Sequence, residues 1–112
     1  MTPHLTTHVL DSTSGTPAVN VAVSLARHLA GGGTEAVAEG LTDADGRLGL
    51  GPERLEPGMY AITFGTGAWF ADQGIPAFYP LVTVTFTVED SDRHYHVPLL
   101  LSPFAYSTYR GS

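Results

Sequence analysis

The sequence predicts an all-β protein, a two-sheet β-sandwich of seven to eight short strands with one short helix, and three observations carry that prediction. Residues 82–88 alternate Val82, Val84, Phe86 and Val88 with Thr83, Thr85 and Thr87, a period of two with β-branched residues on both faces. Gly and Pro, 13 and 8 of the 112 residues, punctuate the chain at the density that many short strands and tight turns require. The stretch 66–74 does not alternate and ends in a glycine, which suits one short helix.

Taken in order, Leu5–Asp11 supplies the first strand. Val19, Val21, Val23 and Leu25 alternate with Asn20, Ala22, Ser24 and Ala26 as the second. Gly31-Gly32-Gly33 turns the chain into Glu35–Thr42, and the pair reads as a hairpin. Asp43-Ala44-Asp45-Gly46 is a turn, because Asp side chains bond nearby amides and Gly accepts φ > 0. A short strand is expected from Arg47. Met59–Phe64 sets Tyr60, Ile62 and Phe64 against Met59, Ala61 and Thr63. After the helix and the 82–88 strand, the tail supplies Arg93–Leu101 and Phe104–Arg110, broken at Ser102-Pro103. No internal repeat, low-complexity segment or linker interrupts this series, so residues 1–112 read as one domain with a sandwich architecture.

The formal charge is −6, and the five basic residues are all arginine, namely Arg27, Arg47, Arg54, Arg93 and Arg110. That balance argues against nucleic-acid or anionic-membrane binding, which needs a basic field, while leaving room for a small anionic ligand beside one arginine. The absence of cysteine removes disulfide and thiolate chemistry. No apolar run approaches the roughly 18 residues of a membrane span, and the first residues lack a signal-peptide pattern, so the simplest expectation is a cytoplasmic protein.

Chemistry concentrates in a few residues. His94-Tyr95-His96 in a strand puts both imidazoles on one face about 7 Å apart. The pair could give two zinc ligands with His8 as a third. Alternatively, His96 is a general base or water-orienting group partnered by His8, since the unperturbed imidazole titrates near neutrality. From spacing alone, exposed or hydrogen-bonded strand histidines are the commoner outcome. Arg47 after an Asp-Gly turn is ordinarily a solvated arginine, and Arg110 near the end an ordinary tail residue. The strand-like residues 104–109 before Arg110 suggest instead that the tail is held in a sheet. No nucleophile elbow, phosphate-cradling loop or HExxH motif is present.

Several segments together resemble the transthyretin-like family and its hydrolase branch, the 5-hydroxyisourate hydrolases. His8-Val9-Leu10-Asp11, Gly15-Thr16-Pro17-Ala18 and Val21 are similar to that family's first strand and following turn. The run from His94 to Ser112 resembles its last two strands and ends in Tyr109-Arg110-Gly111-Ser112, the YRGS ending of the hydrolases. The turn 42–47 and the helix 69–74 extend the resemblance nearly end to end. Leu81 departs from it, since many hydrolases have glutamate after the segment corresponding to Phe78-Tyr79-Pro80, and the expected effect is on the start of the next strand.

The resemblance implies a transthyretin-like (prealbumin-like) sandwich assembled as a homotetramer. Two subunits extend their sheets edge to edge through their last strands, and two dimers pack face to face with active sites at that contact. It implies hydrolysis of 5-hydroxyisourate to 2-oxo-4-hydroxy-4-carboxy-5-ureidoimidazoline in urate (purine) degradation, without metal or organic cofactor. The implied catalytic residues are His8, Arg47 and His96, absent from the carrier branch. The two histidines would activate a water for attack on a ring carbonyl, and Arg47 would stabilise the developing negative charge. Tyr109, Arg110, Gly111 and Ser112 would line the substrate pocket, with Ser112 or the terminal carboxylate orienting substrate or a histidine. Two other readings stand beside this one: a non-enzymatic carrier of a small aromatic ligand, and a zinc-dependent hydrolase using His8, His94 and His96.

Overall fold

In the computed structural model, residues 2–89 and 92–111 are described. Strand β1 (Leu5–Asp11) organises the half of the molecule that matters most here. Its alternation buries Leu5, Thr7, Val9 and Asp11 while Thr6, His8 and Leu10 stay half-buried on the other face. One edge of β1 pairs antiparallel with β5 (Arg47–Leu50) and with the two-residue β2 (Thr16–Pro17). The other edge pairs in parallel with β8 (Tyr95–His96) and β9 (Leu99–Ser102), and β10 (Ala105–Thr108) adds antiparallel to β9 as the outermost strand.

The second sheet runs β4-β3-β6-β7, all antiparallel, from β3 (Ala22–His28), β4 (Thr34–Leu41), β6 (Gly58–Phe64) and β7 (Val82–Val88). The two sheets close on an apolar layer in which Val9 and Leu99 of the first meet the interior set of the second, Val23, Leu25, Tyr60, Ile62 and Phe64. These are the residues that period-two alternation selects, and burying each contributes about 1.5–3 kcal/mol. The helix α1 (Thr66–Ala71) lays Phe70 into that core, and Trp69 Nε1 donates to the carbonyl of Val19 at 2.7 Å.

The last strand is shorter than the expected 104–110, β4 is shifted by one residue and β6 starts one residue early, and three larger differences from the sequence reading have a local reason. The second strand starts at Ala22 rather than Val19, because Asn20 sits at φ 65°, outside the extended region. Thr42 stabilises this corner: its hydroxyl donates to Ala18 O at 2.7 Å and accepts from Val21 N at 2.9 Å. The helix ends at Ala71 rather than near Gly74, which takes φ 70° in the turn that follows. The expected strand from Arg93 to Leu101 is two strands, interrupted at Val97-Pro98, where proline has no N–H to give to a ladder. There the Val97 carbonyl is taken instead by the Thr7 hydroxyl at 2.6 Å. With β2 also short, ten strand segments are described instead of seven or eight.

Leu81 is exposed immediately before β7, beside Thr63 of the neighbouring strand β6 and Gly65 just after it, so its departure from the hydrolase pattern lies at the start of a strand. Among the described residues no helix is long and apolar enough to cross a membrane.

Candidate active site

The Asp43–Gly46 turn builds the first corner of the site. Asp43 Oδ1 accepts from the backbone N–H groups of Asp45 (2.8 Å) and Arg47 (2.9 Å), and these bonds hold its carboxyl below the usual carboxylate range. Gly46 takes φ 74°, and a Cβ there would collide with the carbonyl of Val9, so only glycine lets the turn press against β1. The chain therefore enters β5 with Arg47 directly opposite His8 across an antiparallel pair. Side chains so placed share a face with Cβ atoms about 5 Å apart.

The opposite edge of β1 brings in the tail. Thr6 is paired with His96 in parallel register, and Val97 N donates to Thr6 O at 3.0 Å. His8, one pleat further along β1, therefore lies on the same face as His96, with Cα positions about 8 Å apart by strand geometry. His8, Arg47 and His96 come together on one face of the six-stranded sheet, although they lie in three separate segments of the chain.

Electrostatics single out His96. Burial depresses its pKa below the usual histidine range, and the charges of Arg47, His94 and His8 push the same way, while a hydrogen bond to the Thr6 backbone opposes them. Near neutral pH the ring is uncharged and able to accept a proton. Its Nδ1 lies 2.8 Å from Thr6 Oγ1, which also lies 2.8 Å from His94 Nε2. Sequence spacing placed His94 and His96 on one face; the hydroxyl that joins them was not anticipated. Thr6 is two residues before His8, so alternation alone could have put it on that face, but not beside His96.

The tail residues divide between the two sides of the sheet. Gly111 bridges to His96, donating its N–H to the His96 carbonyl at 2.8 Å. It packs so closely on the imidazole that a Cβ would lie within 3.0 Å of His96 Cγ. Arg110 stacks its guanidinium 4.5 Å from the centroid of the Tyr95 ring, whose side chain is buried in the core on the other side of the strand from His96. Tyr109 and Arg110 line a hollow of about 150 Å³ with Val84, Phe86, Tyr95 and Val97, between β7 and the tail. Ser112 lies outside the described residues. Sequence reading also passed over His4, which is buried, accepts from Leu55 N at Nδ1 (2.7 Å) and bonds the Arg93 carbonyl through Nε2. It ties three loops together behind the site. Among the described residues no three His, Asp or Glu side chains are grouped to hold a metal ion, so the zinc arrangement of His8, His94 and His96 lacks its geometry here.

A two-sheet sandwich of this topology, with a basic and imidazole cluster on one sheet face, is the architecture of a transthyretin-like protein. Residues 5–111 match the HIUase/Transthyretin family, and the chain belongs to that family. It is 47% identical to a 5-hydroxyisourate hydrolase of Caulobacter vibrioides, over 96% of this chain and 97% of that one. The solved structure of Klebsiella pneumoniae 5-hydroxyisourate hydrolase is 40% identical with a TM-score of 0.85, covering 96% of this chain and 98% of the other. Sea bream transthyretin in complex with thyroxine superposes with a TM-score of 0.90 at 35% identity, covering 96% and 93%.

Proposed function

We infer that this chain, as one hydrolase domain over residues 1–112, hydrolyses 5-hydroxyisourate in urate degradation. The fold does not choose between the two branches of the family, since the carrier superposes at least as well as the hydrolase. The observation that carries the reading is the convergence of His8, Arg47 and His96 on one sheet face. An uncharged imidazole and a guanidinium on one face supply a proton acceptor and a group that stabilises negative charge, which hydrolysis requires.

In the proposed reaction a water held between His8 and His96 attacks a ring carbonyl of the substrate. One imidazole takes the water's proton, the carbonyl oxygen gains negative charge, and Arg47 stabilises that charge with a planar fork of donors. Collapse of the tetrahedral species breaks the carbon–nitrogen bond of the ring, and the departing nitrogen receives the proton from the imidazole. Gly111 closes one side of the His96 ring, while Tyr109 and Arg110 turn to the Tyr95 side of the sheet and act on substrate only through the position they give the tail. The proposed assembly is a homotetramer. Among the described residues strand β10 is the outermost of its sheet, with exposed Tyr106 on it and exposed Phe104 just before it, and Leu10 and Leu100 leave the site-bearing face partly apolar. A second pair of subunits laid on that face would enclose the histidines and exclude bulk water.

The test uses His8→Ala, Arg47→Ala and His96→Ala with substrate generated in place from urate and urate oxidase, followed by ultraviolet absorbance. Each variant is expected to lose about 10²–10³ in kcat/KM. Parental rates in variants that keep the parental oligomeric state would refute the assignment.

A further inference from the structure

We propose that Thr6 is a positioning residue of this site, its hydroxyl bridging His94 and His96 so as to set which nitrogen of His96 carries the proton. The inference rests on the reading of His96 as the group that takes the water's proton. The observation behind it is one oxygen, Thr6 Oγ1, at 2.8 Å from both His94 Nε2 and His96 Nδ1.

A hydroxyl has one proton to donate and lone pairs to accept with. It can therefore donate to one of these two rings only, and in the proposed bridge the other ring offers it an N–H. Such a bridge holds the two imidazoles in opposite states. When Thr6 donates to His94 Nε2, His96 presents Nδ1–H to Thr6 and its Nε2 carries a free lone pair, the form that accepts a proton from water. When the bridge is reversed, His94 Nε2–H donates to Thr6, Thr6 donates to His96 Nδ1, and His96 Nε2 bears the proton, the form that can give it up.

The surroundings give the bridge work to do. His96 is half-buried, and the charged or titratable groups facing it are Arg47 on β5, His8 on β1 and His94 on its own segment. None of these favours an imidazolium at His96. His94 is exposed at the far end of the bridge. Once His96 Nε2 has taken a proton from water, Nδ1–H can pass its proton to Thr6 Oγ1 while the Thr6 hydroxyl proton passes to His94 Nε2. No atom is gained or lost, and the positive charge moves from the crowded ring to the solvated one. His96 is left as the neutral Nε2–H tautomer, poised to protonate the departing ring nitrogen. The backward shift then restores the resting state. The hydroxyl stays in place because Thr6 is held in β1, with Val97 N bonded to its carbonyl.

Thr6→Val removes the hydroxyl while keeping a β-branched side chain suited to the strand, and Thr6→Ser keeps the hydroxyl. Thr6→Val is expected to lower kcat about tenfold or more with KM little changed, and Thr6→Ser to recover to within about threefold of the parent. Nitrogen NMR of histidine-labelled protein without substrate supplies the readout that packing alone would not move. The parent should show one dominant His96 tautomer, and Thr6→Val should show its two ring nitrogens averaged toward each other. Unchanged nitrogen shifts in Thr6→Val, or a Thr6→Ser variant as impaired as Thr6→Val, would overturn the positioning role whatever the absolute rates. A His96→Ala variant with the parental rate would instead overturn the reading of His96 as the base, whatever the spectra show.

Discussion

Replacing Gly111 by alanine isolates the contact between tail and imidazole. The added methyl would sit within 3.0 Å of His96 Cγ and 3.2 Å of His96 Cβ, and closer still to the ring's Cδ2. Carbon atoms settle at about 3.5–4.0 Å, so ring or tail must yield by about 1 Å. The ring cannot retreat freely, because Thr6 Oγ1 stands 2.8 Å from its Nδ1. If the ring turns, the proton-accepting nitrogen is misplaced; if the tail lifts, the bond from Gly111 N to His96 O at 2.8 Å is lost and one wall opens. A displacement of about 1 Å at a catalytic group costs on the order of 10²-fold in rate, about 2.7 kcal/mol of barrier. Gly111 lies outside the hydrophobic core, so the accompanying loss of stability should stay below about 1 kcal/mol. Gly111→Ala is therefore expected to fold with a Tm within a few degrees of the parent and to fall about 100-fold in kcat. The assay is initial-rate absorbance on freshly generated 5-hydroxyisourate, paired with calorimetry. A rate within twofold of the parent would refute the claim that this glycine holds His96, and a collapse of Tm matching the loss of rate would reassign its role to folding.

Three further outcomes follow from the site and from the fold. Because burial and Arg47 lower the His96 pKa below its ordinary 6.5, kcat/KM should hold as pH falls past 6.5 and decline only below it. Arg47→Gln removes one of those charges, so among the residual activities its acid limb should move to higher pH; an unmoved limb would show that His96 does not govern it. In the fold, Thr42→Val would leave Val21 N–H and Ala18 C=O without their buried hydroxyl partner, an expected loss of about 2–4 kcal/mol in denaturant unfolding. A change below about 0.5 kcal/mol would show that water or a shifted backbone replaces the hydroxyl.

Much of this molecule was determined by the sequence alone, because strand alternation, turn chemistry and hairpin closure are properties of short segments. Tyr60, Ile62 and Phe64 face the core as their spacing requires, β3 and β4 close across Gly31–Gly33, and the Asp43–Gly46 turn delivers Arg47 to a strand start. Family resemblance added His8 and His96 as candidates, which spacing by itself left as ordinary strand histidines. The tertiary structure decided which segments meet. Parallel pairing sets Thr6 against His96 across 90 residues of sequence, and nothing in a period of two names the partner strand or its register. The same pairing sends Arg110 to the Tyr95 side of the sheet while Gly111 lies against His96. A one-residue slip there would exchange those faces and dismantle the cluster. Alternation is written into each strand, whereas register is enforced only by interstrand hydrogen bonds and shared burial between distant segments, and on that register the candidate site depends.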